Sequence, residues 1–356
     1  MEKNSYKKYE RAAAVIIMLV IFFFTAATLI TNGRYALVSA KKNSIDIAGE
    51  DDSIFDIEQM LFSSFEDAYG ESVFLHEKIT PLASALNSLF MGERTIESSQ
   101  VLLGKEDWLF YKTKTDGDPL ADYSGTELFS DELLLSITNN LKDMQSRLAA
   151  QGIEFAVMIV PNKEQIYSKY MPDTIIRCSE TSRTDLLVQH IEQNSDIKLV
   201  YPKDEFIQLA DDYPLYYKYD SHWNELGAFV AYQQLMEKLF SEREYLADKT
   251  FSSHADTYRE HADLLDMTGL YTWFGYDDFY SIDGSASEKQ DKTVLVVGDS
   301  CRVALERYFN EGFKNAVIVH RQDYTPSLLN EVKPDIVILE YVERYSGWMD
   351  GFSLFE

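Results

Sequence analysis

Basic residues are scarce in this chain. Against 59 Asp and Glu it carries only 33 Lys and Arg, a formal net charge of −26 over 356 residues. Such a balance excludes nucleic acid as a partner, because phosphate contacts need a basic face. It also disfavours a strongly anionic substrate unless a local basic patch exists; a solvated acidic surface accounts for most of the charge. Cysteine is nearly absent, with Cys178 and Cys301 the only two. They are compatible with an oxidising compartment, and the sequence leaves open whether they pair. Without a C-x-x-C or a Cys/His spacing there is no zinc signature, and no metal or cofactor is expected. The body has no internal repeat and no low-complexity linker. What remains is a globular composition, 46% hydrophobic and 13% aromatic, long enough for one large domain or two small ones.

Long apolar runs are missing too, with one exception. Ala12 to Ile30, "AAAVIIMLVIFFFTAATLI", is 19 residues without a charge. At about 1.5 Å per residue it spans about 28 Å, close to the hydrocarbon thickness of a bilayer. Lys3, Lys7, Lys8 and Arg11 precede it, while Arg34, Lys41 and Lys42 follow at greater distance. This bias favours a short cytoplasmic N-terminus and an extracytoplasmic body. A cleaved signal peptide is the rival, but its apolar core is shorter, and the small-residue "VSA" at 38–40 lies far past this one. The expected organisation is a cytoplasmic segment 1–11, a transmembrane signal anchor 12–30, a juxtamembrane stalk and entry segment 31–100, and a body 101–356. The protein is therefore expected in the cell membrane as a single-pass chain.

The body reads as helices alternating with strands. "VLLGKEDWLFYKTK" gives a strand, a Gly-containing turn and a second strand. Ser130 is placed to cap "DELLLSITNNLKDMQSRLAAQ", an amphipathic helix stopped by Gly152. "IEFAVMIVP" follows as a strand, then a helix over 182–194 leading to "IKLVYP". A helix from Glu225, the strand "TVLVVGDS", the strand "AVIVH", a short helix near 326–332 and "DIVILEYV" complete the pattern. Four apolar strands rich in Val and Ile, alternating with helices, imply a parallel sheet covered on both faces. Ligands gather at the carboxyl ends of such strands. There the chain places Asn162 and Lys163, then Gly298, Asp299 and Ser300, then Glu340, Tyr341, Glu343 and Arg344.

Ser300 sits at a strand-to-helix junction, with Gly298 permitting the turn and nearby backbone N–H groups offering an oxyanion site. The bland reading of Gly-Asp-Ser is an ordinary helix N-cap. The base that Ser300 needs is found in "YDSHWN". On an extended segment Asp220 and His222 project to one side, so the aspartate reaches one imidazole nitrogen and leaves the other for a distant serine. Trp223 would wall the site. The alternative is that Asp220 caps the helix from Glu225 and His222 is a satisfied core histidine. Softer candidates are Asn162 as an oxyanion donor and Lys163 and Arg302 as substrate-holding cations, with Tyr341 on the same rim. Each is as readily a turn residue, a surface charge or core. Arg344 is expected in a structural ion pair. His76, His190, His254, His261 and His320 show no ligand spacing.

Together, D-x-H-W ahead of a strand–GDS–helix element resembles the alginate O-acetyltransferase family of SGNH-hydrolase-like proteins (AlgX and AlgJ type) and the related DHHW proteins of Gram-positive bacteria. The resemblance runs over roughly 100–345, through "DWLFYKT", "VPNKEQIY", "DSHW", "ADLLDM", "VVGDS" and "ILEYVERY". It implies an SGNH-hydrolase-like, flavodoxin-like three-layer α/β fold with a parallel central sheet. It implies Ser300 as nucleophile, His222 as general base and Asp220 as its orienting acid. Acetyl would pass to a cell-surface or secreted polysaccharide, beside a membrane-bound O-acyltransferase that supplies the acyl group. The second signature position is Ser221 rather than histidine, with a side chain expected to point away from the Asp/His face. Cys301 after the serine opens a Cys301–His222 pairing, although the family pattern puts the reacting atom on Ser300. Three other functions fit the same residues: an acetyl esterase, D-alanyl transfer to teichoic acid, and a surface-binding module without catalysis. The tyrosine-rich stretch 241–290 reads as a lid, a glycan platform or plain packing.

Overall fold

A short antiparallel pair, β1 (Val101–Leu103) and β2 (Leu109–Tyr111), opens the body in this computed structural model, which describes residues 98–284 and 289–355 with Ser84 and Ile96. The chain divides into two units, Met1–Glu97 and Ser98–Glu356, and the second carries the α/β body. The expected anchor 12–30 and nearly all of the stalk lie outside the described residues. Among those described, no helix is long and apolar enough to cross a membrane.

The apolar runs become a parallel sheet. Strands β3 (Glu154–Val160) and β4 (Lys198–Val200) lie on one side of it. An antiparallel arm, β5 (Phe251–Ala255) with β6 (Asp278–Ile282), stands apart. Strands β7 (Gln290–Gly298), β8 (Phe313–His320) and β9 (Ile336–Val342) complete the sheet in the order β4-β3-β9-β7-β8. Every pairing in it is parallel. β9 is buried along its whole length and β3 from Phe155 onward. Central strands buried on both faces leave no position for the polar alternation of a half-exposed strand, which is why they read as continuous apolar runs.

Helices cover the sheet where the spacing predicts them. In α1 (Asp131–Ala149) the buried residues Leu134, Ile137, Leu141, Met144 and Leu148 recur at three- and four-residue intervals. Each such side chain contributes about 1.5–3 kcal/mol on burial. Ser130 Oγ accepts from Leu133 N–H at 3.3 Å, and past the helix end Gly152 takes a left-handed φ of +74°. A reciprocal Ser182–Asp185 capping box starts α2 (Arg183–Asn194). Asn224, not Asp220, caps α3 (Glu225–Phe240), its Oδ1 accepting from Leu226 N–H at 2.9 Å. That frees Asp220 for other work.

Past β7 the chain forms a 3-10 turn over Ser300–Leu305 before α4 (Glu306–Gly312), so the expected helix at Cys301 is a tighter turn first. Gly298 is needed for a different reason than the one expected. Its φ is not left-handed; a Cβ there would overlap Glu340 Oε2 on the neighbouring strand β9. The carboxyl ends of β3, β7 and β9 thus bring 162–163, 299–300 and 343–344 to one rim. Cys178 is exposed and Cys301 buried, and both are free thiols.

Candidate active site

Two turns meet at the rim. The first carries Asp220 and His222 in a loop closed at its base by a bridge between Tyr216 and Trp223. Lys163 pins this loop from beneath. Its buried ammonium donates to the carbonyls of Leu109 (2.7 Å), Lys218 (2.9 Å) and Asp220 (2.9 Å). The second turn presents Ser300, exposed, while Asp299 is buried below it. Asp299 does serve as the N-cap, its Oδ1 accepting from Cys301 N–H at 2.9 Å and its Oδ2 from Val342 N–H at 2.6 Å. The capping reading of Gly-Asp-Ser is therefore correct for the aspartate and leaves the serine free.

His222 joins the two turns. Its Nε2 lies 2.7 Å from Ser300 Oγ, and its Nδ1 lies 2.7 Å from Asp220 Oδ1. Asp220 Oδ1 also accepts from His222 N–H at 2.9 Å, and Oδ2 accepts from Asp263 N–H at 3.0 Å. Burial alone would raise the Asp220 carboxyl, but the His222 hydrogen bond and charge outweigh it and hold the group at about 2. For His222 burial opposes charging, yet Asp220 and then Asp263 raise it above its ordinary 6.5. An imidazole with one nitrogen on a carboxylate and the other on an exposed hydroxyl can accept the hydroxyl proton and hold the resulting charge.

A second carboxylate belongs to the same cluster. Asp263 Oδ2 lies 3.5 Å from His222 Nδ1, and its two oxygens accept from Ser221 N–H (2.7 Å) and Ser221 Oγ–H (2.5 Å). Burial and the neighbouring Asp220 charge raise its carboxyl above the ordinary value. Ser221 therefore does not turn away from the site; its hydroxyl anchors Asp263 and sits 3.5 Å from His222 Nδ1. A cavity of about 480 Å³ opens over Ser300, walled by Tyr217, His222, His261, Phe279 and Val303 among others.

Residues 101–312, more than half of the chain, match the family model described as "SGNH hydrolase-like domain, acetyltransferase AlgX". The chain belongs to this AlgX acetyltransferase family. Its fold also has solved counterparts. Bacillus cereus PatB1 is 15% identical, aligned over 72% of this chain and 98% of its own, with a TM-score of 0.51. The O-acetyltransferase domain of Pseudomonas putida AlgJ is 17% identical over 70% and 92%, TM-score 0.48. A DHHW family protein from Eubacterium siraeum is 13% identical over 72% and 99%, TM-score 0.49. Among curated protein sequences none matches.

In this AlgX-family chain several residues singled out from the sequence have other duties. Asn162 is buried, its Nδ2 donating to Asp122 Oδ2 at 3.1 Å, so it is no oxyanion donor. Of the backbone N–H groups near Ser300, that of Cys301 is held by Asp299. Lys163 is consumed by its three carbonyls, and burial lowers it to about 8. Arg302 Nη1 donates to Asp299 O at 2.8 Å and braces the turn rather than the cavity. Tyr341 is buried on β9 and packs edge-on against Phe352. Arg344 forms no ion pair among the described residues; its guanidinium lies over Tyr111 and Tyr345, at 5.4 and 4.9 Å. Trp223 does wall the cavity, and its Nε1–H donates to Cys301 O at 2.9 Å. Cys301 is buried, with its thiol pushed well above its ordinary value by burial and then by Asp299. It offers no thiolate, and His222 faces the serine instead.

Sequence reasoning missed Asp263 and His261. His261 stacks on Tyr217 at 4.3 Å and lines the cavity. Both come from the stretch 241–290, so that region is neither plain packing nor one continuous lid: Phe274 is core, Tyr258 is exposed, and Glu260, His261 and Asp263 reach the site. The only available signal for Asp263 was "ADLLDM" within the resemblance.

Proposed function

We propose that this chain is a membrane-anchored, extracytoplasmic O-acetyltransferase that moves an acetyl group through Ser300 onto a polysaccharide. The observation that carries the reading is the line Ser300 Oγ, His222 Nε2, His222 Nδ1 and Asp220 Oδ1, with 2.7 Å at each hydrogen bond. Ser300 Oγ attacks the acyl carbonyl carbon while its proton passes to Nε2. The tetrahedral adduct then expels the donor's leaving group, which takes that proton, and an acetyl ester remains on Ser300. A sugar hydroxyl next gives its proton to Nε2 and attacks the ester. Ser300 leaves with the proton returned, and the sugar carries the acetyl. Asp220 keeps Nδ1 protonated and stabilises the imidazolium in both halves. A positioned base contributes about 10² to 10⁴ in rate.

The apolar run 12–30 is the anchor, and the body works at the outer face of the cell membrane. Activated acetyl groups are made inside the cell, so a multi-spanning membrane-bound O-acyltransferase hands the acyl group across. The net charge favours a neutral or amino-sugar acceptor.

The test is to incubate the full chain in mild detergent with p-nitrophenyl acetate, with and without a sugar oligomer, beside Ser300→Ala and His222→Ala. Nitrophenol release lost in both variants, with acetyl appearing on the oligomer, is the expected result. Release without acetylated oligomer makes the protein an esterase. Release unchanged in the variants refutes the serine chemistry.

A further inference from the structure

A second groove lies on the same rim. Two cavities, of about 450 and 370 Å³, share Gly347 and Trp348 as a common wall. None of their wall residues lines the cavity over Ser300. They are nonetheless neighbours of that turn, because Arg321 N–H donates to Gly298 O at 2.7 Å, two residues before Ser300.

The groove is built around an exposed indole. Trp348 is 42% exposed, a costly position for the largest aromatic side chain. Tyr345 stacks on it, with ring centroids 4.3 Å apart and planes 16° apart. The Arg321 guanidinium lies 4.6 Å from the Trp348 centroid and 5.3 Å from that of Tyr345. These three separations make a nearly equilateral triangle, so the cation sits beside the stacked pair. A cation capping the outer indole face would lie much farther from Tyr345 than from Trp348. The outer face of Trp348 is therefore covered by neither neighbour.

The Arg321 guanidinium forms no ion pair among the described residues, and its Nε is buried without a hydrogen-bond partner. Burial, then Arg302 and Arg321, hold the adjacent His320 below its ordinary value. Asp350 also borders the first cavity, and Asp118, Glu127, Lys114, Arg183 and Arg344 the second. The groove is thus mixed in charge rather than acidic like the rest of the surface. A flat aromatic face beside a planar fork of N–H donors suits a ligand with an apolar ring face and adjacent oxygens on its edge.

We propose that Trp348 and Arg321 form a second sugar subsite, in which a pyranose ring of a polysaccharide stacks on the outer indole face. Two adjacent oxygens of that ring, a vicinal diol or a carboxylate, accept N–H bonds from Arg321. The subsite holds a polymer segment while another residue of the polymer occupies the cavity over Ser300. The choice of a polysaccharide rests on the acyl-transfer reading; the site itself does not.

The test is a tryptophan-fluorescence titration of the full chain in mild detergent, without acyl donor. The probes are cellohexaose for the diol and an alginate hexamer for the carboxylate. A saturable emission change is expected with at least one of them, and salt should weaken only the carboxylate arm. Trp348→Ala should abolish the signal, and isothermal calorimetry should then show binding weaker by about tenfold or more, as it should for Arg321→Gln. Trp348→Phe, which keeps a ring and the fold, should retain most of the affinity. Tyr245→Ala, an exposed aromatic elsewhere, should bind as wild type. Neither probe binding, or Trp348→Ala and Arg321→Gln binding as tightly as wild type, overturns the proposal. Because no turnover is involved, p-nitrophenyl acetate hydrolysis unchanged in Ser300→Ala and His222→Ala would sink the serine chemistry and leave this site standing.

Discussion

Replacing Asp220 by asparagine should cost this protein about 100-fold in kcat/KM for p-nitrophenyl acetate, well short of the loss expected for an orienting aspartate that acts alone. The magnitude comes from what remains next to Nδ1. With Asp220 neutral, the nearest carboxylate to the imidazolium is Asp263, 3.5 Å from Nδ1 where Asp220 was at 2.7 Å. Asp263 stands there in both proteins and keeps its own share of the attraction, so the loss is what the Asp220 charge alone supplied. The asparagine carbonyl still accepts from Nδ1–H, but giving up a hydrogen bond between charged groups costs about 1.5–3 kcal/mol. The upper end of that range is close to a factor of 100 in rate.

The assay is steady-state hydrolysis by wild type, Asp220→Asn, Asp263→Asn and the double variant, each checked for an unchanged melting temperature. Asp263→Asn alone should lose about tenfold or less, since the closer carboxylate persists. The double variant should lose about 10⁴ or more, the order seen when the orienting Asp is replaced in a Ser-His-Asp enzyme. That is more than the product of the single losses, which is how two groups serving one function behave. A single Asp220→Asn already down by about 10⁴, with Asp263→Asn indistinguishable from wild type, would refute the backup role of Asp263.

Because His222 must be neutral to act as base and both carboxylates raise it above 6.5, kcat/KM should rise with pH through an inflection above 6.5; Asp263→Asn should move that inflection down. In stability the same pair works with opposite signs: the His222 contribution is complete below 6.5 and fades as pH rises through its folded value, whereas that of Asp220 is complete above 3.8 and fades as pH falls toward about 2. Iodoacetamide should alkylate exposed Cys178 in the native chain and reach buried Cys301 only after unfolding, as read by peptide mass spectrometry; native labelling of Cys301 would contradict its burial. Gly298→Ala should lower the melting temperature by about 3–10 °C, the equivalent of about 1–3 kcal/mol of overpacking in a domain of this size, and should depress hydrolysis further because Glu340 would be pushed off the Asp299 N–H it holds at 3.0 Å.

The sheet was legible because its central strands are buried on both faces, and burial of that kind writes itself as unbroken Val and Ile. The capping residue Ser130 was legible for a local reason, since a cap and the N–H it serves lie within three residues. The meeting of Asp220 and His222 is equally local, an i, i+2 relation, although the chain bends there rather than running extended. Asp263 is different in kind. It reaches Nδ1 from 41 residues further along the chain, held there by Ser221 and by its own N–H on Asp220, and no periodicity encodes a contact of that range. Asn162, Lys163 and Tyr341 mark the opposite error. Position at the carboxyl end of a strand put all of them at the rim, but it did not say which way each side chain turns. On β9 the two-residue repeat sends Glu340 under the Ser300 turn and Tyr341 to the other face. At 162–163 the buried carboxylate of Asp122 and three backbone carbonyls, one on β2 and two in the loop, claim side chains that in open solvent would have been free for a substrate. Buried acceptors left without donors cost about 1–3 kcal/mol each, so a fold with many of them recruits its rim residues for its own support first.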